Sequence, residues 1–142
     1  MTQIISGEKA GLWTAKRVRG SWNPESAVSI GLERDGDIQA GVIYEHWNRA
    51  SVVCHIAIHG PITPSYIAAI FHYPFEVLEV QKIIAPIAED NSESRSLVEK
   101  MGFHEEARIE DGHPEGDLIF YTIRREACRF LEPKYQRKIT CN

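Results

Sequence analysis

From Ala27 onward the chain alternates like a half-buried strand, with Val28, Ile30 and Leu32 on one side and Ser29, Gly31 and Glu33 on the other. Arg34-Asp35-Gly36-Asp37 carries the Asp-Gly pair that joins hairpin strands. A second strand is expected over Ile38 to Trp47, a turn at Asn48-Arg49, and a third strand over Ala50 to His59, rich in β-branched residues. Three consecutive antiparallel strands follow. Upstream, residues 8 to 20 read as a short basic helix carrying Leu12, Trp13 and Val18, ended by Gly20 and followed by a loop from Ser21 to Glu25.

Gly60-Pro61-Ile62-Thr63-Pro64 interrupts the sheet, and Thr63 before Pro64 is a helix start, with the hydroxyl as N-cap and proline at the first helical position. Ile67, Ile70, Phe71, Phe75 and Leu78 recur at helical spacing. Pro74 falls inside that pattern and removes a backbone donor, so a kink or two short helices are expected. Lys82 to Ala88 is a near-continuous apolar run that suits a strand covered on both faces. In the next helix Asp90 and Glu93 are spaced like a capping box, Leu97, Val98 and Met101 form the buried face, and Gly102 supplies the stop. Ile109 centres a weak strand, 111 to 116 is a loop, and Leu118 to Ile123 is the last strand. After Arg124 a short helix through Cys128, Phe130 and Leu131 gives way to a polar tail.

At 142 residues, 43% of them hydrophobic, the chain has material for one core and not two, so a single domain over 1–142 is expected, with 126–142 as a C-terminal tail. The count of 20 acidic against 16 basic residues leaves no global basic field, which makes nucleic acid an unlikely partner. Cys54, Cys128 and Cys141 are odd in number and widely spaced, as in a reducing cytoplasm rather than in a disulfide framework or zinc ribbon. No charged-then-apolar leader and no membrane-length apolar run is present, so a soluble, unprocessed cytoplasmic protein with no membrane partner is expected. The histidines are scattered, and His55 and His59 on one strand would lie about 13 Å apart at ~3.3 Å per residue, too far to share an ion. No metal site is expected. Phe71, Tyr73 and Phe75 have core spacing; Lys16, Arg17 and Arg19 could contact an acidic partner, although so short a basic run is usually a solvated helix face.

The block Lys82-Ile-Ile-Ala-Pro-Ile-Ala88, followed by Glu89 to Arg95 with Asn91 and Ser94 and by a helix closed at Gly102-Phe103, resembles the segment that closes the coenzyme A site in GCN5-related N-acetyltransferases. The resemblance covers roughly Ala27 to Arg125 and extends to compact chains of this shape encoded by bacteriophages. It implies an α/β (α+β) fold: a mixed, mostly antiparallel twisted sheet of about six to seven strands flanked by helices. It further implies acetyl-CoA as cosubstrate and direct attack by a primary amine of a protein or small molecule, and it is compatible with a homodimer. In this family the strands before and after the central helix splay, here Val52 to His59 and Lys82 to Ala88. Carried over, the backbone of Ile56, Ala57 and Ile58 would pair with the pantetheine arm. Gly60, Thr63 and Ser65 at the helix start would meet the pyrophosphate, since helix N-termini offer unpaired N–H groups to anions. Asn91 and Ser94 would supply polar contacts, though Asn91 equally suits a turn into a helix.

Two departures bear on chemistry. The family's glycine-rich loop is here His59-Gly-Pro-Ile-Thr-Pro-Ser65, in which Pro61 and Pro64 each lack an amide donor. The tyrosine that often follows the helix leucine as general acid is here Val98, so the acid is Tyr121, Tyr44 or water. A tight turn at Asn48-Arg49 would set Tyr44 opposite Val53 and Val42 opposite His55. That places Tyr44, His46, His55 and His59 on one face and Glu45 with Ile43, Val52 and Cys54 on the other. His55 is then the first candidate base, because imidazole exchanges protons near neutral pH, and Glu45 is the alternative if the register slips by one residue. The rival reading is a protein of the same fold without catalysis, serving as an interaction or virion component.

Overall fold

The alternation of each strand is realised in one seven-stranded sheet, which the computed structural model describes over residues 1–140; Cys141 lies outside the described residues. In chain order the elements are β1 (Thr2–Ser6), α1 (Glu8–Arg17), β2 (Val28–Arg34), β3 (Asp37–Glu45), β4 (Ser51–Ile58), α2 (Pro64–His72), β5 (Lys82–Ala88), α3 (Ser92–Met101), β6 (His104–His113), β7 (Gly116–Arg124) and α4 (Pro133–Thr140). The spatial order is β1-β2-β3-β4-β5-β7-β6, antiparallel throughout except for the parallel pair β4–β5. It is the mixed, mostly antiparallel sheet flanked by helices that the sequence implies. No described helix is long and apolar enough to cross a membrane.

Several elements depart from the sequence reading. β1 was not expected; it adds an edge strand through pairs such as Ile4 with Leu32. α2 stops at His72 and continues as one wide π-helical turn over Tyr73–Val77, in which the Leu78 amide bonds Tyr73 O at 3.0 Å. This is how the chain accommodates Pro74, which has no N–H to give to an α-helical ladder. The N-cap of α3 is Asn91, not Asp90: its side chain accepts from the Ser94 amide at 3.1 Å. Gly102 closes the same helix in the left-handed region, at φ 107°. The segment read as a polar tail forms α4, and Gln136 holds it against α2 through His72 Nδ1 at 2.7 Å.

The β3–β4 hairpin corrects the expected register. Five residues, 46 to 50, connect the strands in place of a tight turn, with His46 and Arg49 in the left-handed region. Asn48 organises them: its side-chain oxygen accepts from the amides of Ala50 (3.0 Å) and Ser51 (2.8 Å). The longer connection shifts the pairing by one, so Ile43 lies opposite His55 and Tyr44 opposite Cys54. Because side chains alternate across a sheet, the slip moves Glu45 to the face of His55 and Tyr44 to the other.

That other face carries the main core. Val42, Tyr44, Cys54, Ile83, Ala85, Tyr121 and Ile123 pack there under α2, α3 and the turns that bring in Phe130. α1 covers the opposite face over β2 and β3, very closely. A Cβ at Gly31 would stand 2.8 Å from Ala10 Cβ, and one at Gly41 would collide with the buried Thr14 hydroxyl, itself bonded to Ala10 O at 2.8 Å. Beyond α1, the same face of β5 and β7 is only half covered at Ile84, Pro86 and Phe120, so β5 is not buried on both sides as its composition suggested.

This close seat positions the C-terminal end of α1 and should be intolerant of volume. Gly41→Val is expected to lower stability by about 1–3 kcal/mol, the usual cost of overpacking, in a urea melt. An unchanged midpoint would mean that α1 is not seated on the sheet at this distance.

Candidate functional site

β4 and β5 are paired at only three positions, Ser51 with Lys82, Val52 with Ile83 and Val53 with Ile84. After that they part. From Cys54 onward β4 pairs only with β3, and from Ala85 onward β5 pairs only with β7, so each strand turns a free backbone edge to the gap. Pro86 stands two residues past the last parallel pair, at an edge where a strand tolerates a residue with no amide donor.

The gap is a cleft of about 480 Å³, within the range of small-molecule sites, and it passes through the sheet. On the α3 side it is lined by Cys54, Ala85, Ile87, Asn91, Ser94 and Val98. On the α1 side it is lined by Arg17 to Gly20, His55, Pro86, His113 and Leu118.

His55 lines the α1 side and is bonded to Glu45, which stands outside the lining. His55 Nε2 lies 2.6 Å from Glu45 Oε2, with side chains 25% and 22% exposed. A carboxylate only accepts, so Nε2 carries a hydrogen, and in the neutral ring the lone pair falls on Nδ1. The exposed His46 lies 3.8 Å from the other Glu45 oxygen. The one-residue slip thus brings together two candidates that the tight-turn register had put on opposite faces.

The remaining candidates separate. Asn91, Ser94 and Ile56 line the cleft, with the Asn91 carbonyl oxygen spent on the α3 cap. Ala57 and Ile58 continue β4, and Gly60, Thr63 and Ser65 stand past its end at the start of α2, outside the lining. Thr63 caps α2 through the Tyr66 amide at 3.1 Å. No partner among the described residues meets the N–H groups of Gly60, Ile62, Thr63 and Ser65, so four amide donors survive the two prolines. Tyr121 is 1% exposed and outside the lining, its oxygen accepting from Arg95 Nε at 3.0 Å. Tyr44 donates to Ile70 O under α2, and burial pushes its hydroxyl well above the phenol range. Val98 joins Ser94 as an α3 residue in the cleft wall.

Sequence reasoning missed the contribution of Arg17 to Gly20 as a wall, and that of Cys54 and Pro86. A proline at the fifth position of an otherwise strand-like apolar run is the available signal for the parting. Nothing local could announce the arginines, because they reach the cleft only through the seat of α1 on Gly31 and Gly41. Among the described residues no cluster of His, Cys, Asp and Glu could hold a metal ion.

No family model matches the chain, and no curated protein matches it in sequence. Among solved structures it is similar to a variant of the spermidine N-acetyltransferase SpeG from Vibrio cholerae, at 15% identity and TM-score 0.71, covering 94% of this chain and 98% of that one. A dodecameric structure of spermidine N-acetyltransferase from the same organism matches at 16% identity and TM-score 0.68, covering 88% of this chain and 94% of that one. A probable acetyltransferase matches at 22% identity and TM-score 0.60, over 71% of this chain; the chain spans 62% of that protein's length. The chain therefore has the fold of the GCN5-related N-acetyltransferases.

Cys54 is the one thiol in the cleft wall, and burial pushes it up to about 12, as it pushes Cys128 up to about 11. At pH 8 the thiolate fraction of Cys54 is then about one part in ten thousand. Iodoacetamide at pH 8 should leave both thiols unmodified in the folded protein and label them in denaturant, read by peptide mass spectrometry. Rapid native labelling of Cys54 would contradict its burial.

Proposed function

We propose that the protein is an acetyl-CoA-dependent N-acetyltransferase acting on a primary amine of a small molecule or protein. The observation that carries this reading is the gap between β4 and β5 with His55, bonded to Glu45, in its wall. The residues present suit acetyl-CoA: two free strand edges for an amide-bearing arm, four unpaired N–H groups at the start of α2 for a pyrophosphate, and Asn91 and Ser94 in the wall. The cosubstrate would supply an acetyl thioester. A reducing cytoplasm, in which Cys54 and Cys128 stay as thiols, is the compartment that suits the chain.

The chemistry asked of the protein is small. The amine nitrogen forms a bond to the acetyl carbon as the carbon–sulfur bond breaks, the proton leaves the nitrogen, and the departing sulfur takes up a proton. His55 is placed to receive the first proton on Nδ1, while Glu45, accepting from Nε2–H, fixes the ring orientation and balances the imidazolium. Val98 has no proton to give, the Tyr44 hydroxyl is committed to Ile70 O, and Tyr121 is held by Arg95 behind Ala85. Water in the cleft is then the source of the second proton. That lack of a tyrosine acid is also what favours the rival reading, a non-catalytic protein of the same fold.

Thermal melting with acetyl-CoA and a thiol-release assay with an amine panel decide the matter. Acetyl-CoA at 100 times its Kd should add about 2.7 kcal/mol of stability. His55→Gln should lower kcat by about 10²-fold or more with the acetyl-CoA affinity unchanged, and Glu45→Gln should lower it by less. A melt shift without turnover on any amine would favour the non-catalytic reading; no shift at millimolar acetyl-CoA would sink both the enzyme and its cosubstrate.

A further inference from the structure

The α1 wall of the cleft is cationic. Arg17 and Arg19 line it, and Asp90, the one carboxylate among the described lining residues, belongs to the α3 side. Glu45, beside the wall, is engaged with His55. The two arginines are held differently. Arg17 is stacked over the Trp13 ring, its guanidinium carbon 3.9 Å from the centroid, and its Nη1 donates to Trp13 O at 3.1 Å. Arg19 is exposed and has no hydrogen-bond or ion-pair partner among the described residues.

The backbone at Arg19 makes this free guanidinium harder to dismiss as a solvated helix face. α1 closes through the Gly20 amide bonding Ala15 O at 2.9 Å, the closure that places the intervening residue in the left-handed region. That residue is Arg19, at φ 57°, where glycine is the residue of least cost. The next residue, Gly20, carries no side chain into the same wall. The chain thus bears a local strain that sets an unpaired arginine at the rim of the cleft, on the face of His55.

Resting on the acetyl-transfer reading, we propose that the acceptor carries an anionic group, a carboxylate or a phosphate, close to its amine. Arg19 receives that group with Arg17 beside it, and the amine is thereby directed toward His55. Polycations are disfavoured by the same wall, so the chain parts in specificity from the spermidine acetyltransferases whose fold it shares.

The test is steady-state transfer from acetyl-CoA to glycine, O-phosphoethanolamine, ethanolamine and spermidine, with wild type, Arg19→Gly and Arg19→Glu. Glycine and O-phosphoethanolamine carry the two anionic groups, and the comparison between them separates carboxylate from phosphate recognition. Wild type should use one or both at least about tenfold more efficiently than ethanolamine or spermidine, the scale of one charge-assisted hydrogen bond. Both variants should raise the KM of the anionic acceptor by about tenfold or more and leave kcat and the acetyl-CoA Kd within about twofold. Arg19→Gly removes the strained side chain, so its melting temperature should not fall, and a lost contact cannot be mistaken for misfolding. Calorimetric titration of O-phosphoethanolamine should lose its heat in Arg19→Gly without any turnover being involved. Preference for spermidine, an unmoved KM, or a loss confined to acetyl-CoA affinity would each overturn the proposal while leaving acetyl transfer intact. Failure to use any amine would remove the acetyl-transfer reading itself and this proposal with it.

Discussion

The structure depends on a parallel strand pair that is allowed to fail. β4 and β5 keep only three paired positions and then leave a gap in the middle of a sheet, where backbone donors and acceptors would ordinarily be satisfied by a neighbour. Such a gap is sustainable because each strand is anchored on its far side, β4 by six positions to β3 and β5 by seven to β7. For the same reason the slot is edged with unpaired backbone donors and acceptors on strands that are each held from behind. Pro86 is consistent with this arrangement, since a strand that need not donate on that edge can hold a proline.

The two helical layers then give the slot two different mouths. α3 enters the wall with its N-terminal end, so Asn91, Ser94 and Val98 make that side uncharged apart from Asp90. α1 enters with its C-terminal end, because contact at Gly31 and Gly41 lets the helix lie almost on the strands and run toward the gap. The side on which His55 and Glu45 stand is therefore the side that receives Arg17 and Arg19. The His55–Glu45 pair and the charged wall meet through packing of small residues, Gly31 against Ala10 and Gly41 against Thr14.

Legibility in the sequence was uneven for physical reasons. The strand at Lys82 to Ala88, the stop of α3 at Gly102, and the start of α2 at Thr63 are set by local propensity and capping, which neighbouring residues encode; the cap of α3 falls one residue later than the Asp90 spacing suggests, on Asn91. The hairpin at residues 46 to 50 is different. Its strands were found, but the pairing between them rests on an Asn48 side chain that takes two backbone amides, and a single residue in the turn decides which face Glu45 shares. Pro61 and Pro64 take two donors out of the loop, yet the amides that remain are unspent, which only the three-dimensional bonding pattern reveals. Tyr121 lay on a correctly read strand and still missed the cleft, because Arg95 and the burial of its ring hold it on the far side of Ala85.

By itself the sequence determined the kinds and order of most elements and the presence of the imidazole and amide side chains that stand in the cleft wall and the carboxylate beside them. Those follow from periodicity and short-range capping, interactions that span a few residues. The tertiary structure decided the strand register, the depth at which α1 seats, and the point where β4 and β5 separate. Each of these is fixed by contacts between segments distant in the chain, Glu45 with His55, Thr14 with Gly41, and Val53 with Ile84. A displacement of one residue in any of them would leave the same elements and a different site.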